Sequence, residues 1–306
     1  MTKEQSVEIL MTTYNGELFL REQFDSILAQ TYRNWHLTVS DDGSTDGTDC
    51  IIEEYVHLYP DKILHVRYPE RFGSPKEHFL QLCRDCEAPL IAFCDQDDVW
   101  FPDKLKKMVK LLLEYEQNIP LLIFSDQIPT DAFLNPINNS AMKMGKQFTS
   151  RIEWQAIIFR NTVTGGACLF NRALVQLACR NENIEDIIMH DWWLAAIAAC
   201  FGNVVYFNEP TGYYRQHEHN YIGAKDVTRF SYIWNRLRNI ADVKNSIILR
   251  KNQARKILET YREDLTENDK EFLKSFSKRH SGIFFYIKNG RYVHGFFREL
   301  SLILLG

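Results

Sequence analysis

Phe93-Cys94-Asp95-Gln96-Asp97-Asp98-Val99-Trp100 places three carboxylates within four positions immediately after an apolar run. The run Pro89–Cys94 reads as a short buried strand, so Asp95, Asp97 and Asp98 stand where the chain leaves the core. Carboxylates crowded at a strand end repel one another and are costly to desolvate. A divalent cation that joins them and is shared with a phosphate offsets that cost. The stretch points to a nucleotide-diphosphate site.

Two earlier stretches have the same form. Val7–Asn15 is a strand ending in polar residues, and Leu37–Ser40 is another, running into Asp41-Asp42-Gly43-Ser44-Thr45-Asp46-Gly47. Helical spacing is predicted over Glu17–Gln30, Gly47–Leu58, Pro75–Cys86 and Pro102–Glu116, with further strands over Ile63–Tyr68 and Leu121–Asp126. Alternation of this length predicts an α/β fold with a mostly parallel sheet and right-handed crossovers, binding its ligand at the carboxyl edge. The pattern breaks over Gln127–Ser150, which reads as a long substrate-facing loop. Beyond it are a strand ending at Phe170, entered through a Gly165-Gly166 turn, a helix over Asp191–Phe201, a strand over Val204–Phe207 and a closing segment Tyr213–His217. No internal repeat or low-complexity segment is seen.

The 306 residues, 45% of them hydrophobic, suffice for one large core or one core with an appendage. No apolar run reaches the roughly 18 residues of a membrane span and the N-terminus lacks an apolar signal segment, so a cytoplasmic protein is expected. Seven scattered cysteines suit buried reduced thiols better than a disulfide framework, and the lone pair Cys83/Cys86 lies in a helical context that favours packing. The net charge of −4 hides an asymmetry. Residues 225–306 carry 17 Lys and Arg against 9 Asp and Glu, net +8, whereas residues 1–224 carry 19 against 31, net −12. An acidic body excludes general nucleic-acid binding, while a basic tail suits an anionic membrane surface or an acidic partner.

Met11-Thr12-Thr13-Tyr14-Asn15, the Asp41–Thr48 stretch, Asp95–Trp100, His190-Asp191-Trp192-Trp193 and Tyr214-Arg215-Gln216-His217 together resemble family 2 glycosyltransferases of the GT-A fold. Asn161–Gly166, Met189–Ala195 and the run from Tyr214 through Asn220 to Gly223-Ala224 further resemble bacterial rhamnosyltransferases of cell-wall and capsular polysaccharide synthesis. The resemblance covers about residues 5–224. It implies a mixed, mostly parallel sheet flanked by helices, with a catalytic domain over 1–224 and a helical C-terminal extension over 225–306. It also implies that Thr12, Tyr14 and Asp42 hold a pyrimidine base, with Asn15 on the same donor side, and that Asp95 holds the ribose. Asp97 would ligate Mg²⁺ or Mn²⁺, and His217 would reach the metal or the diphosphate. Arg215 would neutralise the leaving diphosphate, and Gly165 and Gly166 would let backbone approach the donor, or form a plain tight turn. His219 has no assigned role.

Asp191 is the candidate general base, since inverting transfer needs a carboxylate facing the acceptor hydroxyl; a helix cap is its structural alternative. Of Trp192 and Trp193, one ring is expected in the core and the other as an acceptor platform. Asp46 and Ser44 read as turn and cap residues. The tail beyond Val227, with Trp234, Phe284, Phe285, Tyr286, Phe296 and Phe297 among its bases, suits a helical cap, a homodimer surface or an interfacial anchor at the inner face of the plasma membrane. The expected activity is inverting, metal-dependent transfer of L-rhamnose from dTDP-rhamnose to a lipid-linked saccharide. A UDP-hexose or UDP-N-acetylhexosamine donor and a catalytically silent nucleotide-sugar-binding scaffold are the rivals.

Overall fold

The computed structural model describes residues 5–145, 147, 149–150, 152–217 and 240–278. His219, Asn220, Gly223, Ala224 and the tail aromatics named above lie outside the described residues. Strands β1 (Val7–Thr13), β2 (Trp35–Asp41), β3 (Ile63–His65), β4 (Leu90–Cys94), β5 (Val99–Trp100), β6 (Leu121–Thr130), β7 (Cys168–Asn171) and β8 (Asn203–Arg215) form one sheet in the order β3-β2-β1-β4-β7-β6-β8-β5. β1 is parallel to β2 and β4, β2 to β3, and β6 to β8, while β7 and β5 run antiparallel to their neighbours. The expected mixed, mostly parallel sheet is therefore present.

Register aligns the three polar strand ends. Thr13 of β1 pairs with Asp41 of β2, and Met11 pairs with Cys94 of β4, so Asp95 emerges beside Thr12. Chain order reverses direction across β1 and β4, which is where an open α/β sheet leaves a crevice. The central strands are buried on both faces: Leu90, Ala92 and Cys94 face one side, and Ile91 and Phe93 the other, following the two-residue period of a strand.

Helices α1 (Leu20–Leu28), α2 (Thr48–Leu58) and α4 (Lys104–Leu112) cover one face, and α3 (Pro75–Asp85), α6 (Trp154–Phe159), α7 (Arg172–Ala178) and α8 (His190–Phe201) cover the other. Leu105, Met108, Val109 and Leu112 show why α4 packs as it does: their spacing makes one apolar stripe. Between β6 and α6 lies the short helix α5 (Ala141–Met144). The seven cysteines are free thiols.

Three local differences from expectation have physical causes. β6 runs on to Thr130, and the two expected segments Val204–Phe207 and Tyr213–His217 join into the single strand β8, because register shifts around Asp126 carry the ladder past Pro210. α6 is buried on nearly all sides and α7 spans two turns, so neither shows an amphipathic period. β5 has two residues and exists by pairing with Tyr213 and Gly212.

The C-terminal helices α9 (Ile240–Thr260) and α10 (Glu267–Ser277) share the apolar cluster of the α8 face. Tyr261 is fully buried, lies 6.2 Å from the Trp193 ring and donates its hydroxyl to Leu177 O. Phe276 meets Phe159 edge-on at 4.8 Å and Phe272 meets Trp154 at 4.9 Å. Among the described residues no helix is long and apolar enough to cross a membrane. Phe276→Ala should lower unfolding stability by about 3–5 kcal/mol, read from the urea midpoint; a loosely attached tail would leave that midpoint unchanged.

Candidate active site

The crevice is built from the loops that leave β1, β2 and β4. Asn15 adopts φ +49°, a left-handed conformation that asparagine tolerates, and so turns the chain sharply after Tyr14. Its N–H donates to Ser44 Oγ at 2.8 Å and its side-chain oxygen accepts from Thr45 N at 2.8 Å, so it ties the two loops together. Gln96 accepts from Tyr14 N at 2.9 Å and donates to Tyr14 O at 3.0 Å, bridging the loops of β1 and β4 much as a strand would. Asp41 accepts from Thr13 Oγ1 and from both Ser44 groups, a turn-forming role, and Asp46 accepts from Thr48 N at the start of α2.

Tyr14, Thr12 and Asp42 surround an open shelf. Tyr14 is 48% exposed and the Arg71 guanidinium lies 5.0 Å over its ring. Arg71 Nε also donates to Asp42 O at 2.6 Å, and the Asp42 carboxylate accepts from the N–H groups of Phe72 and Gly73. Asp42 thereby orders the loop that carries Arg71. No spacing in the sequence marks Arg71, because it reaches the shelf from a loop without regular structure.

The acidic cluster lies deeper. Asp97 Oδ2 is 2.8 Å from His217 Nε2, joining two residues 120 positions apart. That is a hydrogen-bond distance, and it also approximates the separation of about 2.9 Å between adjacent ligands of an octahedral ion with 2.0–2.1 Å bonds. Asp98 is fully buried, accepting from Gln127 Nε2 at 2.9 Å and from Arg215 N at 3.2 Å. Burial, with Asp97 and Asp95 adding, pushes the Asp98 carboxyl well above the usual range. Burial likewise pushes Asp95 up to about 7, with Asp97 and Asp191 contributing. A hard cation suits this excess of oxygen ligands with one imidazole beside them. Asp49, Glu53 and His65 also cluster, but Arg67 already bridges both of those carboxylates at 2.9 and 3.0 Å.

Asp191 is at the second position of α8. It accepts from Trp192 N at 2.6 Å, the Gly165 amide and the Asn161 side chain also favour its charged form, and burial raises it to about 7. Gly166 lies against the Asp95 carboxylate, whose charged form its amide favours. Adjacent residues of one 3₁₀ turn (Gly165–Ala167) therefore lie against the acid at the end of β4 and the acid at the start of α8. A Cβ on Gly166 would sit 2.6 Å from Asp95 Oδ2 and force that carboxylate to shift, and one on Gly165 would sit 3.0 Å from His190 Nε2, a contact to which the ring must give way. His190 packs between Phe79 and Phe93 at 4.4 and 5.0 Å, and burial depresses its pKa to about 3, so it is a neutral core imidazole.

One expectation is corrected. Arg215 is 2% exposed and does not face the cleft as a diphosphate ligand. Its Nε donates to Asp97 O at 2.8 Å, its other nitrogens to Ala132 O and Glu22 Oε2, and its guanidinium lies 4.5 Å over Phe19. A guanidinium at the end of a buried strand finds its partners within the protein. Of the tryptophan pair, Trp193 is the ring that packs in the core: it is 1% exposed and donates to Ala178 O. Trp192 remains partly exposed, its Nε1 fixed on Ile157 O and Arg250 5.8 Å over its ring.

Lys104, which the sequence reading passed over, is fully buried with its Nζ on Gly166 O and 3.9 Å over the Trp100 ring. Its phase was informative, since Lys104, Met108 and Leu112 lie on one face of α4.

The model of glycosyl transferase family 2 matches residues 8–175. The chain belongs to glycosyl transferase family 2. It is 31% identical over 233 residues to dTDP-rhamnosyl transferase RfbG of Shigella flexneri, covering 72% of this chain and 76% of that one. It is 32% identical over 108 residues to WfgD of Escherichia coli, a UDP-Glc:alpha-D-GlcNAc-diphosphoundecaprenol beta-1,3-glucosyltransferase, covering 35% of this chain and 41% of that one. The crystal structure of S. aureus TarS 1-349 in complex with UDP-GlcNAc resembles it with a TM-score of 0.60 at 16% identity, over 93% of this chain and 74% of that one. The fold is thus that of GT-A glycosyltransferases.

Arg215→Met should cost about 1–3 kcal/mol of unfolding stability in urea with no nucleotide present, because it strands the carbonyls of Asp97 and Ala132. An arginine reserved for a ligand would leave that stability unchanged.

Proposed function

We propose that this glycosyltransferase moves L-rhamnose from dTDP-rhamnose, with inversion, to a lipid-linked saccharide in surface-polysaccharide synthesis. The observation that carries the proposal is the Gly165–Gly166 turn, which lies against both Asp95 and Asp191 beside the Asp97–His217 pair. A donor-side acid, a candidate base and a candidate cation site are thereby built around one short turn.

In this reading Asp191 accepts the proton of the acceptor hydroxyl while that oxygen bonds to the anomeric carbon. The bond from that carbon to the diphosphate oxygen breaks on the opposite side, giving dTDP and an inverted glycoside. A carboxylate raised to about 7 by burial is a stronger base than an ordinary aspartate and is still ionised near neutral pH. Thr12, Tyr14 and Asp42 receive the pyrimidine base, with Asn15 fixing their loops, and Asp95 receives the ribose. Asp97 and His217 would hold Mg²⁺ or Mn²⁺, which supplies positive charge to the leaving diphosphate. The partly exposed Trp192 offers the acceptor an apolar face.

Identity to RfbG supports the sugar. The name of WfgD supports a diphosphate-lipid acceptor and also favours a second reading, in which the donor is a UDP-hexose. Residues 1–224 would form the catalytic unit and 225–306 an extension serving the acceptor side. The net charge of +8 on residues 225–306 supports attachment at the inner membrane face.

Purified protein given dTDP-rhamnose, UDP-glucose or UDP-N-acetylglucosamine with polyprenyl-diphosphate saccharides should form product from dTDP-rhamnose, and EDTA should stop it. Retained anomeric configuration by NMR, or turnover indifferent to EDTA, overturns the mechanism; turnover from a UDP-sugar alone overturns the donor. Asp97→Asn should weaken dTDP binding in the presence of Mg²⁺ while leaving the unfolding midpoint in place, as calorimetry and urea titration would read.

Asp191→Asn should bind donor normally and lose transfer by about 10²–10⁴-fold. Because burial raises Asp191 to about 7, the base becomes protonated as pH falls through that value. The wild-type kcat should then drop about tenfold per pH unit below it and level off above. A kcat flat from pH 5.5 to 8 would remove Asp191 from the proton transfer.

A further inference from the structure

We propose that Lys104 is the positioning residue that fixes the donor-side acid relative to the base, by holding the Gly165–Gly166 turn from beneath. This rests on the reading of Asp191 as the base. Lys104 is fully buried at the first position of α4, on the face that carries Met108 and Leu112. A methionine or leucine would satisfy that face, and an ammonium taken out of water is costly unless its surroundings compensate for it. The compensation lies on the side of the site. Nζ donates to Gly166 O and stands 3.9 Å over the Trp100 ring, and Asp98 and Asp95 add favourable charge.

The turn is therefore loaded from both directions. Its glycines lie against carboxylates, Gly166 against Asp95 and Gly165 against Asp191, and its Gly166 carbonyl accepts from the ammonium. Two of those three attachments belong to the reacting side. The third attaches the turn to α4, and so to the core of the opposite sheet face. Without it the turn keeps its glycines, the Ser125 Oγ bond to Ala167 O and the Cys168 Sγ bond to Gly165 O, but loses the contact that ties Gly166 itself to α4. A shift of order 1 Å between donor and base is enough to cost about 10²-fold in rate. The Tyr14–Asp42 shelf makes no contact with Lys104 and should keep its hold on the nucleotide.

The test is a mutant cycle on the full-length enzyme, with K104M, K104R, D191N and the double variants K104M/D191N and K104R/D191N, read by single-turnover transfer and by donor affinity. K104M should lower the rate by about 10²-fold and K104R by about tenfold, since a guanidinium keeps the charge but displaces the turn. Donor affinity should change less than about fivefold, and K104M/D191N should fall within about threefold of D191N alone, because both changes act through one group. Rates for K104M and K104R within about threefold of wild type, or losses that multiply with D191N, overturn the inference. If K104M does not fold, K104R and its double variant decide by the same criteria. D191N with full turnover would instead overturn the assignment of the base, whatever Lys104 does.

Discussion

Four carboxylates converge where water is largely excluded, and the arrangement of the site follows from what that requires. Two like charges about 4 Å apart repel by about 4 kcal/mol at an effective dielectric of 20, and burial adds to the cost. The fold answers with groups from every neighbouring element: the Gly165 and Gly166 amides on Asp191 and Asp95, Gln127 and the Arg215 backbone on Asp98, and His217 on Asp97. The two cations buried beside these carboxylates are used differently. Arg215 binds the carbonyl of Asp97 and so fixes the backbone of the acidic loop, whereas Lys104 binds the facing turn. Asp95, Asp98 and Asp191 are nonetheless held above their ordinary range, so the internal compensation is partial. A site left in that condition favours a positively charged guest.

Much of this was legible in the chain because the informative residues stand at strand ends. β4 is a continuous apolar run, β1 is apolar apart from Glu8 until its polar end and β2 alternates, and whatever polar residue follows each strand must lie on one edge once the strands are parallel. That single inference places Thr12, Tyr14, Asp42, Asp95 and Asp97 without further geometry. Asp191 and His217 needed the resemblance, since nothing local to either residue says that it faces Asp95 or Asp97. Arg215 was misread for a related reason. An arginine two residues before His217 looks available to an anion, and only the three-dimensional path of β8 shows it enclosed by Glu22, Ala132 O and Phe19. Lys104 was missed because a lysine at a helix start reads as solvated. Its phase with Met108 and Leu112 contradicted that reading and carried the better signal.

The contact between Asp97 and His217 depends on an element too short to have been found in the sequence. β5 has two residues, yet its pairing of Val99 with Tyr213 and Trp100 with Gly212 sets the acidic loop against the end of β8. β8 in turn is held to β6 through a ladder whose shifts around Asp126 adjust its register. Closing a loop of more than a hundred residues costs little more entropy than closing one of fifty, since the cost grows only as the logarithm of length. His217 can therefore be brought to Asp97 from far along the chain, provided that strand pairing fixes it on arrival.

The C-terminal helices have a comparable effect on Asp191. α8 begins at the crevice with Asp191 and continues through Trp193 into the core, where the indole donates to Ala178 O and faces Tyr261. Tyr261 belongs to the segment that follows α9, and its hydroxyl is fixed on Leu177 O. The orientation of α8, and with it the direction from which Asp191 addresses Asp95, is thus set partly by residues beyond 240. Trp192 leads to the same conclusion from the solvent side, since Arg250 of α9 lies over its ring. The position of Asp191 is in this way mechanically coupled to a segment that carries none of the family motifs, and a change of packing between α9 and α8 would be felt at the carboxylate.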